Sequence, residues 1–395
     1  MKIKFMLKSA SLLLCLTLIF SVAAFPAKAD TVTINVYNWG EYLPDGTDGS
    51  MDVNKEFTKA TGIKVNYTTF DNNEEMYTKI ANGGGDYDII FPSDYMISKM
   101  IDEGLLAKLD YKNIPNAKYI DKEFSHNDYD DGSLYSVPYQ WGIVGILYNK
   151  TMVDPNDNVN SWDILWNEKY SGKILMFNNS RDAFGVALSK LGYSQNSTDE
   201  LEWEAAANQL MLQKPLVQAY AMDQIIDKMA MGEAALAPYY AGDALICRED
   251  NPDVEIAFPE GSNTNRYVDA MCILASSKHK KEAEAYINFI CDPEVSYEVC
   301  DFAGYATPNT ETYKMLEENG EINEIQYPGE EVLKNTEYFR NLPANIRELE
   351  KNLWSQVRAD TSGSVWQIFA IIGAFILVWL IIVVYKRIVR KRKFD

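Results

Sequence analysis

The sequence Val32-Thr-Ile-Asn-Val-Tyr37 opens the most regular part of this chain. The β-branched residues of this run predict a strand. The apolar residues that follow are spaced as in a helix, and the helix is expected to end at Gly62, because glycine often ends helices. The alternation continues, with helices predicted over 51–60, 74–81 and 94–104 and strands over 63–70 and 87–91. Strands that alternate with helices predict a mostly parallel sheet with helices on its faces.

A second region of the same kind begins near residue 173. Its pattern predicts strands over 173–177, 234–239 and 268–274 and helices over 182–191, 223–231 and 280–291. The sequence therefore predicts an α/β protein of two lobes, between which the chain passes more than once.

Aromatic side chains stand beside carboxylates at five loop positions near predicted strand ends. Ligands of such sheets bind beyond the carboxyl ends of strands, and aromatic rings with carboxylates suit an organic ammonium ion. Each cluster alone is better explained by buried rings and solvated acids than by a function, but five together predict a cation site. The clusters are Trp39-Gly-Glu41-Tyr42, Ser93-Asp94-Tyr95, Tyr239-Tyr240-Ala-Gly-Asp243, Arg266-Tyr267-Val-Asp269 and Gly304-Tyr305.

The charge of the chain is unevenly distributed. The 395 residues carry a formal net charge of −20, but residues 1–29 hold +4 and residues 386–395 hold +5, so residues 30–360 hold −29. Such a segment repels phosphate backbones, which excludes nucleic acid as a partner. It attracts cations, although acidity that only serves solubility explains the excess equally well.

Both ends of the chain predict export and anchoring. Residues 1–29 have a basic start, an apolar run and the small-x-small site Ala27-Lys28-Ala29, which are typical of a signal peptide. Residues 365–385 are apolar enough to cross a membrane, and the basic tail 386–395 predicts a cytoplasmic C-terminus. Residues 351–364 are the predicted linker.

Catalysis and metal binding have no sequence signature. The four cysteines after the signal segment lack C-x-x-C spacing, and two histidines leave little for a zinc site or a Ser-His-Asp triad. We predict no enzyme activity, no metal and no cofactor. The sequence does not decide whether two of Cys247, Cys272, Cys291 and Cys300 form a disulfide. Two alternative functions also remain: a hydrolase that uses two carboxylates, and a membrane-anchored cation sensor without a transport role.

Several motifs make the chain from about residue 32 to about residue 345 similar to the substrate-binding proteins of spermidine/putrescine ABC importers. They are Tyr37-Asn-Trp-Gly-Glu-Tyr42, Thr61-Gly-Ile-Lys-Val65, Asp88-Ile-Ile-Phe-Pro-Ser93, Ser136-Val-Pro-Tyr-Gln-Trp-Gly142, Lys190-Leu-Gly-Tyr193 and Gly304-Tyr-Ala-Thr-Pro-Asn309. The resemblance implies a type II periplasmic-binding-protein fold with hinge strands, lobe I over 30–142 and 268–312 and lobe II over 143–267 and 313–350. It also implies a polyamine ligand, and permease and ATPase subunits as partners. The predicted tail anchor is unlike the family's usual form.

The resemblance carries the binding site over residue by residue. Glu41, Asp182 and Asp269 match carboxylates that hold the ligand nitrogens, Asp243 matches an acid of putrescine-preferring relatives, and Ser93 matches a polar contact. Asn179 and Phe339 depart from an aspartate and a glutamine of the spermidine receptor, so the sequence leaves putrescine and spermidine both open. The matching rings are Trp39, Tyr42, Tyr95, Tyr240, Tyr267 and Tyr305.

Overall fold

The computed structural model describes residues 32–47, 49–124 and 128–359. The predicted signal peptide 1–29, transmembrane segment 365–385 and basic tail 386–395 lie outside the described residues. Within the described ranges, no helix is both long and apolar enough to cross a membrane.

The helices and strands alternate much as the sequence predicts. The strands are β1 Thr33–Trp39, β2 Lys64–Phe70, β3 Ile89–Ile90, β4 Ser136–Asn149, β5 Ile174–Phe177, β6 Val217–Ala221, β7 Leu236–Tyr240, β8 Val254–Ala257, β9 Thr264–Ile273 and β10 Thr336–Glu337. The α-helices are α1 Val53–Thr61, α2 Asn73–Ala81, α3 Asp94–Asp102, α4 Ser180–Lys190, α5 Glu200–Gln213, α6 Gln224–Ala230, α7 Ala241–Asp250, α8 Lys280–Ile290, α9 Pro293–Ala303, α10 Thr310–Asn319, α11 Glu330–Leu333 and α12 Ala344–Arg358. Short 3₁₀ turns occupy Tyr111–Asn113, Pro115–Tyr119, Lys122–Phe124, Trp162–Trp166, Glu168–Tyr170 and Lys214–Leu216.

The strands form one sheet path in the order β2-β1-β3-β9-β4-β7-β5-β6. The parallel prediction is confirmed within each half, because β1 runs parallel to β2 and β3, and β5 runs parallel to β6 and β7. The parallel prediction is wrong for the two longest strands, since β4 and β9 pair antiparallel with each other, β9 pairs antiparallel with β3, and β4 pairs antiparallel with β7 and β8. These two strands connect the halves, which makes the fold two-lobed with shared hinge strands.

The hinge strand β4 is not predicted from the sequence pattern, and its burial explains why. Thirteen of its fourteen residues are buried, so it shows no alternation of apolar and polar side chains. Its register shifts between Pro138 and Gln140, where it pairs with β9. Further along, Val144 pairs with Tyr240 of β7.

Local sequence fixes where the site-bearing helices begin and end. The side chain of Asn179 accepts a hydrogen bond from the backbone N–H of Asp182 and so caps α4. Gly304 ends α9 in the left-handed conformation, with φ of +73°, and delivers Tyr305 to the centre of the molecule. A site residue therefore lies at the start of α4, which the sequence predicts, and directly after the end of α9, which the sequence pattern does not predict.

The four described cysteines, Cys247, Cys272, Cys291 and Cys300, are buried and unpaired. The disulfide that the sequence left open is therefore not formed in this structure. Burial raises the pKa of each thiol, which keeps the thiols protonated and weakly reactive.

Candidate functional site

The two lobes enclose a cleft of about 760 Å³, part of it open to solvent. All eleven site residues predicted from the sequence line this one cleft: Trp39, Glu41, Tyr42, Ser93, Tyr95, Asp182, Tyr240, Asp243, Tyr267, Asp269 and Tyr305. Asn179 and Phe339, the two departures, line it as well. The remaining lining residues were not assigned a role from sequence: Gly40, Asp71, Asn73, Glu74, Asp94, Met222, Asp223, Ile226, Tyr239 and Asn265.

Asp269 accepts hydrogen bonds from two other residues that line the cleft. Tyr42 Oη donates to its Oδ2 at 2.8 Å, and Ser93 Oγ donates to its Oδ1 at 2.6 Å. Asp269 lies inside β9 rather than at a strand end, and Tyr267 lies two residues earlier on the same face of that strand. Burial raises the pKa of Asp269 to about 6, while the two hydroxyls act in the opposite direction.

Asp182 lies at the start of α4 and faces the cleft from the other lobe. Tyr240 Oη donates to its Oδ2 at 2.9 Å, and Asn179 Nδ2 donates to the same oxygen at 2.7 Å. Burial raises the pKa of Asp182, and these two donors oppose the shift. Asn179 therefore both caps the helix and holds the carboxylate, which gives this departure from the family pattern a structural role.

Asp243 provides a third carboxylate at the start of α7. Tyr305 Oη donates to its Oδ2 at 2.7 Å, and burial raises the pKa of Asp243 to about 7. The preceding residue must be glycine, because a Cβ on Gly242 would lie 2.6 Å from the Tyr305 ring. The close approach of α7 to this ring sets the position of the carboxylate.

Tyrosine rings form a continuous wall between these carboxylates. The ring centroids of Tyr240 and Tyr267 are 5.2 Å apart, those of Tyr267 and Tyr305 are 6.3 Å apart, and those of Tyr305 and Tyr42 are 5.0 Å apart. All three contacts are edge-on, which leaves ring faces and edges available to a ligand. Trp39 is fixed at the end of β1 because its Nε1 donates to Phe91 O at 2.7 Å.

Two buried polar atoms of the cleft lack a hydrogen-bond partner among the described residues. They are Tyr267 Oη and Asn265 Oδ1, on side chains that are each 5% exposed. An unpartnered buried polar atom is costly, so these atoms suit a ligand or water that completes their bonding.

Glu41 differs from the other predicted carboxylates because it is exposed at the rim of the cleft. Its φ is +48°, a left-handed conformation that is uncommon outside glycine and is often found at functional sites. Glu41 is therefore the exposed carboxylate of the predicted set, whereas Asp243 and Asp269 are buried.

The cleft is strongly acidic. Its lining, as drawn from the described residues, contains eight carboxylates and neither lysine nor arginine. Arg181 is a buried residue, and its guanidinium lies 3.9 Å from the ring centroid of Phe339, a residue of the lining. No cluster of three or more His, Cys, Asp and Glu suited to a metal occurs in the described ranges. Apolar rings with separated carboxylates suit an elongated organic cation.

Comparison with known proteins gives consistent matches. The family of bacterial extracellular solute-binding proteins matches residues 53–323. The spermidine/putrescine-binding periplasmic protein of Escherichia coli (strain K12) is 36% identical over 316 residues, 80% of this chain and 88% of that protein. The putrescine-binding periplasmic protein SpuD of Pseudomonas aeruginosa (strain UCBPP-PA14) is 29% identical over 365 residues, 88% of this chain and 97% of that protein.

A solved structure agrees with these matches. The spermidine/putrescine ABC transporter substrate-binding protein PotD from Streptococcus pneumoniae superposes with a TM-score of 0.69 at 35% identity. The match covers 83% of this chain and 98% of that protein.

Proposed function

Because the chain belongs to the family of bacterial extracellular solute-binding proteins, we propose that it is an extracytoplasmic receptor that binds putrescine or spermidine and delivers it to an ABC importer. The observation that supports this most directly is the wall of tyrosine rings with Asp182, Asp243 and Asp269 set along it. A polyamine has positively charged nitrogens joined by methylene chains. The nitrogens can pair with the carboxylates, and the methylenes can pack against the rings between them.

In this mechanism the carboxylates provide most of the binding affinity, and the aromatic rings determine the shape of the binding site. A cation over a ring contributes about 0.5–2 kcal/mol, whereas loss of one partner of a buried charge pair costs about 2–5 kcal/mol. Site residues come from both sides of the hinge strands, for example Ser93 at the start of α3 and Asp182 on α4. A ligand that bridges them stabilises the closed lobes, and closure presents a surface to the permease.

We propose lobe I as residues 30–142 and 268–312 and lobe II as 143–267 and 313–350, with β4 and β9 as the hinge between them. The protein acts by binding and release, without chemical turnover. A carboxylate hydrolase would need an acid pair aligned on a scissile bond, and the acids here are instead hydrogen-bonded to ring hydroxyls.

Titration calorimetry of the purified full chain with putrescine and spermidine tests this function. We expect saturable one-to-one binding of at least one of them at micromolar levels or below. Absence of heat for both would overturn the proposal. Binding without uptake, when the receptor is expressed together with the permease and ATPase subunits of a polyamine importer, would favour the sensor alternative.

We further propose that residues 365–385 anchor the receptor in the cytoplasmic membrane, with the basic tail 386–395 on the cytoplasmic side. The full chain is expected to stay in the membrane fraction after an alkaline carbonate wash, because about 20 apolar residues insert stably. A chain that ends at residue 359 is expected to be released while it keeps its polyamine affinity. Release of the full chain by carbonate would contradict the anchor and leave the binding function untouched.

A further inference from the structure

Strands β5, β6 and β7 of lobe II run parallel, so their two ends face opposite sides of the lobe. Their carboxyl ends lead directly to cleft residues, among them Asn179 and Asp223. Their amino ends lie together at the other edge, where Ile174 of β5 pairs with Val217 of β6 and with Leu236 of β7. Strands of four or five residues span about 15 Å, so a surface at this edge faces away from the cleft.

Large apolar side chains are exposed at this edge. Leu212 is 67% exposed near the end of α5, and Met231 is 73% exposed directly after the end of α6. Because α5 leads through a short turn into β6 and α6 leads into β7, both helices end at the amino ends of the strands. Six large apolar side chains are exposed in the described part of the chain, and three of them lie here. We call the surface formed by Met211, Leu212 and Met231 the lobe II pole.

The last described residues of the chain leave the fold beside the lobe II pole. Lys214 lies two residues after Leu212, and its Nζ donates to the carbonyl oxygens of Val357 at 2.7 Å and Ala359 at 2.6 Å. These bonds hold the end of α12 beside the end of α5. The apolar segment 365–385 begins six residues after Ala359. Since six residues span at most about 20 Å, a bilayer that holds this segment lies within about 20 Å of Ala359.

Basic residues adjoin the lobe II pole, although residues 30–360 as a whole hold −29. Lys214 and Arg358 lie where the chain leaves the fold, and Lys173 directly precedes β5 at the same edge. Glu233, which lies two residues after Met231, is paired with Lys228 at 2.7 Å. Charges farther away than about 10 Å are largely screened at physiological salt, so these nearby cations decide how the pole meets anionic lipid.

From these observations, and resting on the membrane anchor proposed above, we propose that the lobe II pole is a membrane-contact surface. It binds the headgroup region of the bilayer while the receptor is free of the permease. Leu212 and Met231 enter the interface between headgroups and hydrocarbon, and Lys214 holds the end of α12 beside them. Because the cleft lies at the opposite ends of β5, β6 and β7, this contact turns the cleft toward the external medium, where the polyamine is captured.

Quenching of a fluorescent label by headgroup nitroxide lipids tests this contact. The full chain is reconstituted into vesicles of phosphatidylcholine and phosphatidylglycerol, and the label is attached to Leu212→Cys. Leu201→Cys is the matched control, because Leu201 is 72% exposed on the same helix. The two positions share one helix face three turns and about 16 Å apart, so we expect at least about threefold stronger quenching for Leu212→Cys than for Leu201→Cys.

The native cysteines allow this labelling, since Cys247, Cys272, Cys291 and Cys300 are buried, and the unsubstituted chain measures the background. Equal quenching of the two labels, or quenching of neither, would overturn the membrane contact. An apolar surrounding of the label on Leu212→Cys without quenching would show that a second copy of the chain covers the pole, and it would overturn the contact as well. Release of the full chain by carbonate would instead overturn the anchor, and calorimetry with polyamines tests the receptor function independently of both.

Discussion

Asp269→Asn is expected to lower polyamine affinity by about 30-fold to 1,000-fold, the largest effect of any single change in the cleft. Asp269 is 5% exposed and already accepts hydrogen bonds from Tyr42 and Ser93, so its charge is held in place before a ligand arrives. Asparagine keeps the size and one acceptor but loses the charge that pairs with an ammonium. Calorimetry with putrescine and spermidine measures the loss.

Tyr305→Phe is the matched comparison for Asp269→Asn. It removes the hydroxyl that donates to Asp243 but keeps the ring of the wall. We expect a smaller loss than for Asp269→Asn, because Tyr305→Phe removes one hydrogen bond to Asp243 but keeps the negative charge of that carboxylate. Equal losses in the two variants would contradict an affinity dominated by charge.

Much of this site could be predicted because chain order and position in the sheet are linked. In alternating α/β folds the carboxyl ends of parallel strands lie at one edge of the sheet. Clusters such as Ser93-Asp94-Tyr95 and Tyr239-Tyr240 therefore line one cleft although they are far apart in the chain. One helix end is also predictable from the sequence, since Gly62 ends α1 in the left-handed conformation, as expected of glycine.

The residues that escaped prediction lack a local signal. Glu74 and Asp223 are single acids in the polar starts of helices, a position that is normal for a solvated acid. Only the packing of α2 and α6 around the cleft distinguishes them. Asn179 was interpreted as a lost ligand contact, and its capping role became visible only once α4 and Asp182 were in place. The hinge strand β4 is not predicted because burial on both faces removes the alternation of apolar and polar residues that marks a strand.

Asp243→Asn is expected to stabilise the empty receptor at pH 8 while it weakens polyamine binding. Burial raises the pKa of Asp243 to about 7 from an ordinary value of 3.8, so the folded state binds this proton more tightly than the unfolded state does. The folded state is therefore penalised progressively as pH rises from about 4 to 7, and the full penalty is present above about pH 7. A shift of about three pKa units corresponds to at most about 4 kcal/mol, and asparagine removes this penalty.

Thermal unfolding of the full chain measures this effect. At pH 8 without ligand, Tm of Asp243→Asn should exceed that of the unmodified protein by about 3 to 10 °C, and the difference should vanish near pH 4. Asp227→Asn, an exposed acid of α6, removes the same formal charge and should show no such pH dependence. A variant less stable than the unmodified protein at pH 8 would show that Asp243 is instead favourably solvated in the empty cleft.

Saturating polyamine should reverse the order of stability. A ligand that binds only the folded state raises Tm by an amount that grows with the logarithm of its affinity, and the variant is expected to have lost affinity. The unmodified receptor should then unfold at the higher temperature, because the ammonium neutralises the carboxylate that destabilised the empty cleft. If ligand raised both Tm values equally, Asp243 would not contact the polyamine, and the acid that lowers stability would be separate from the acids that bind.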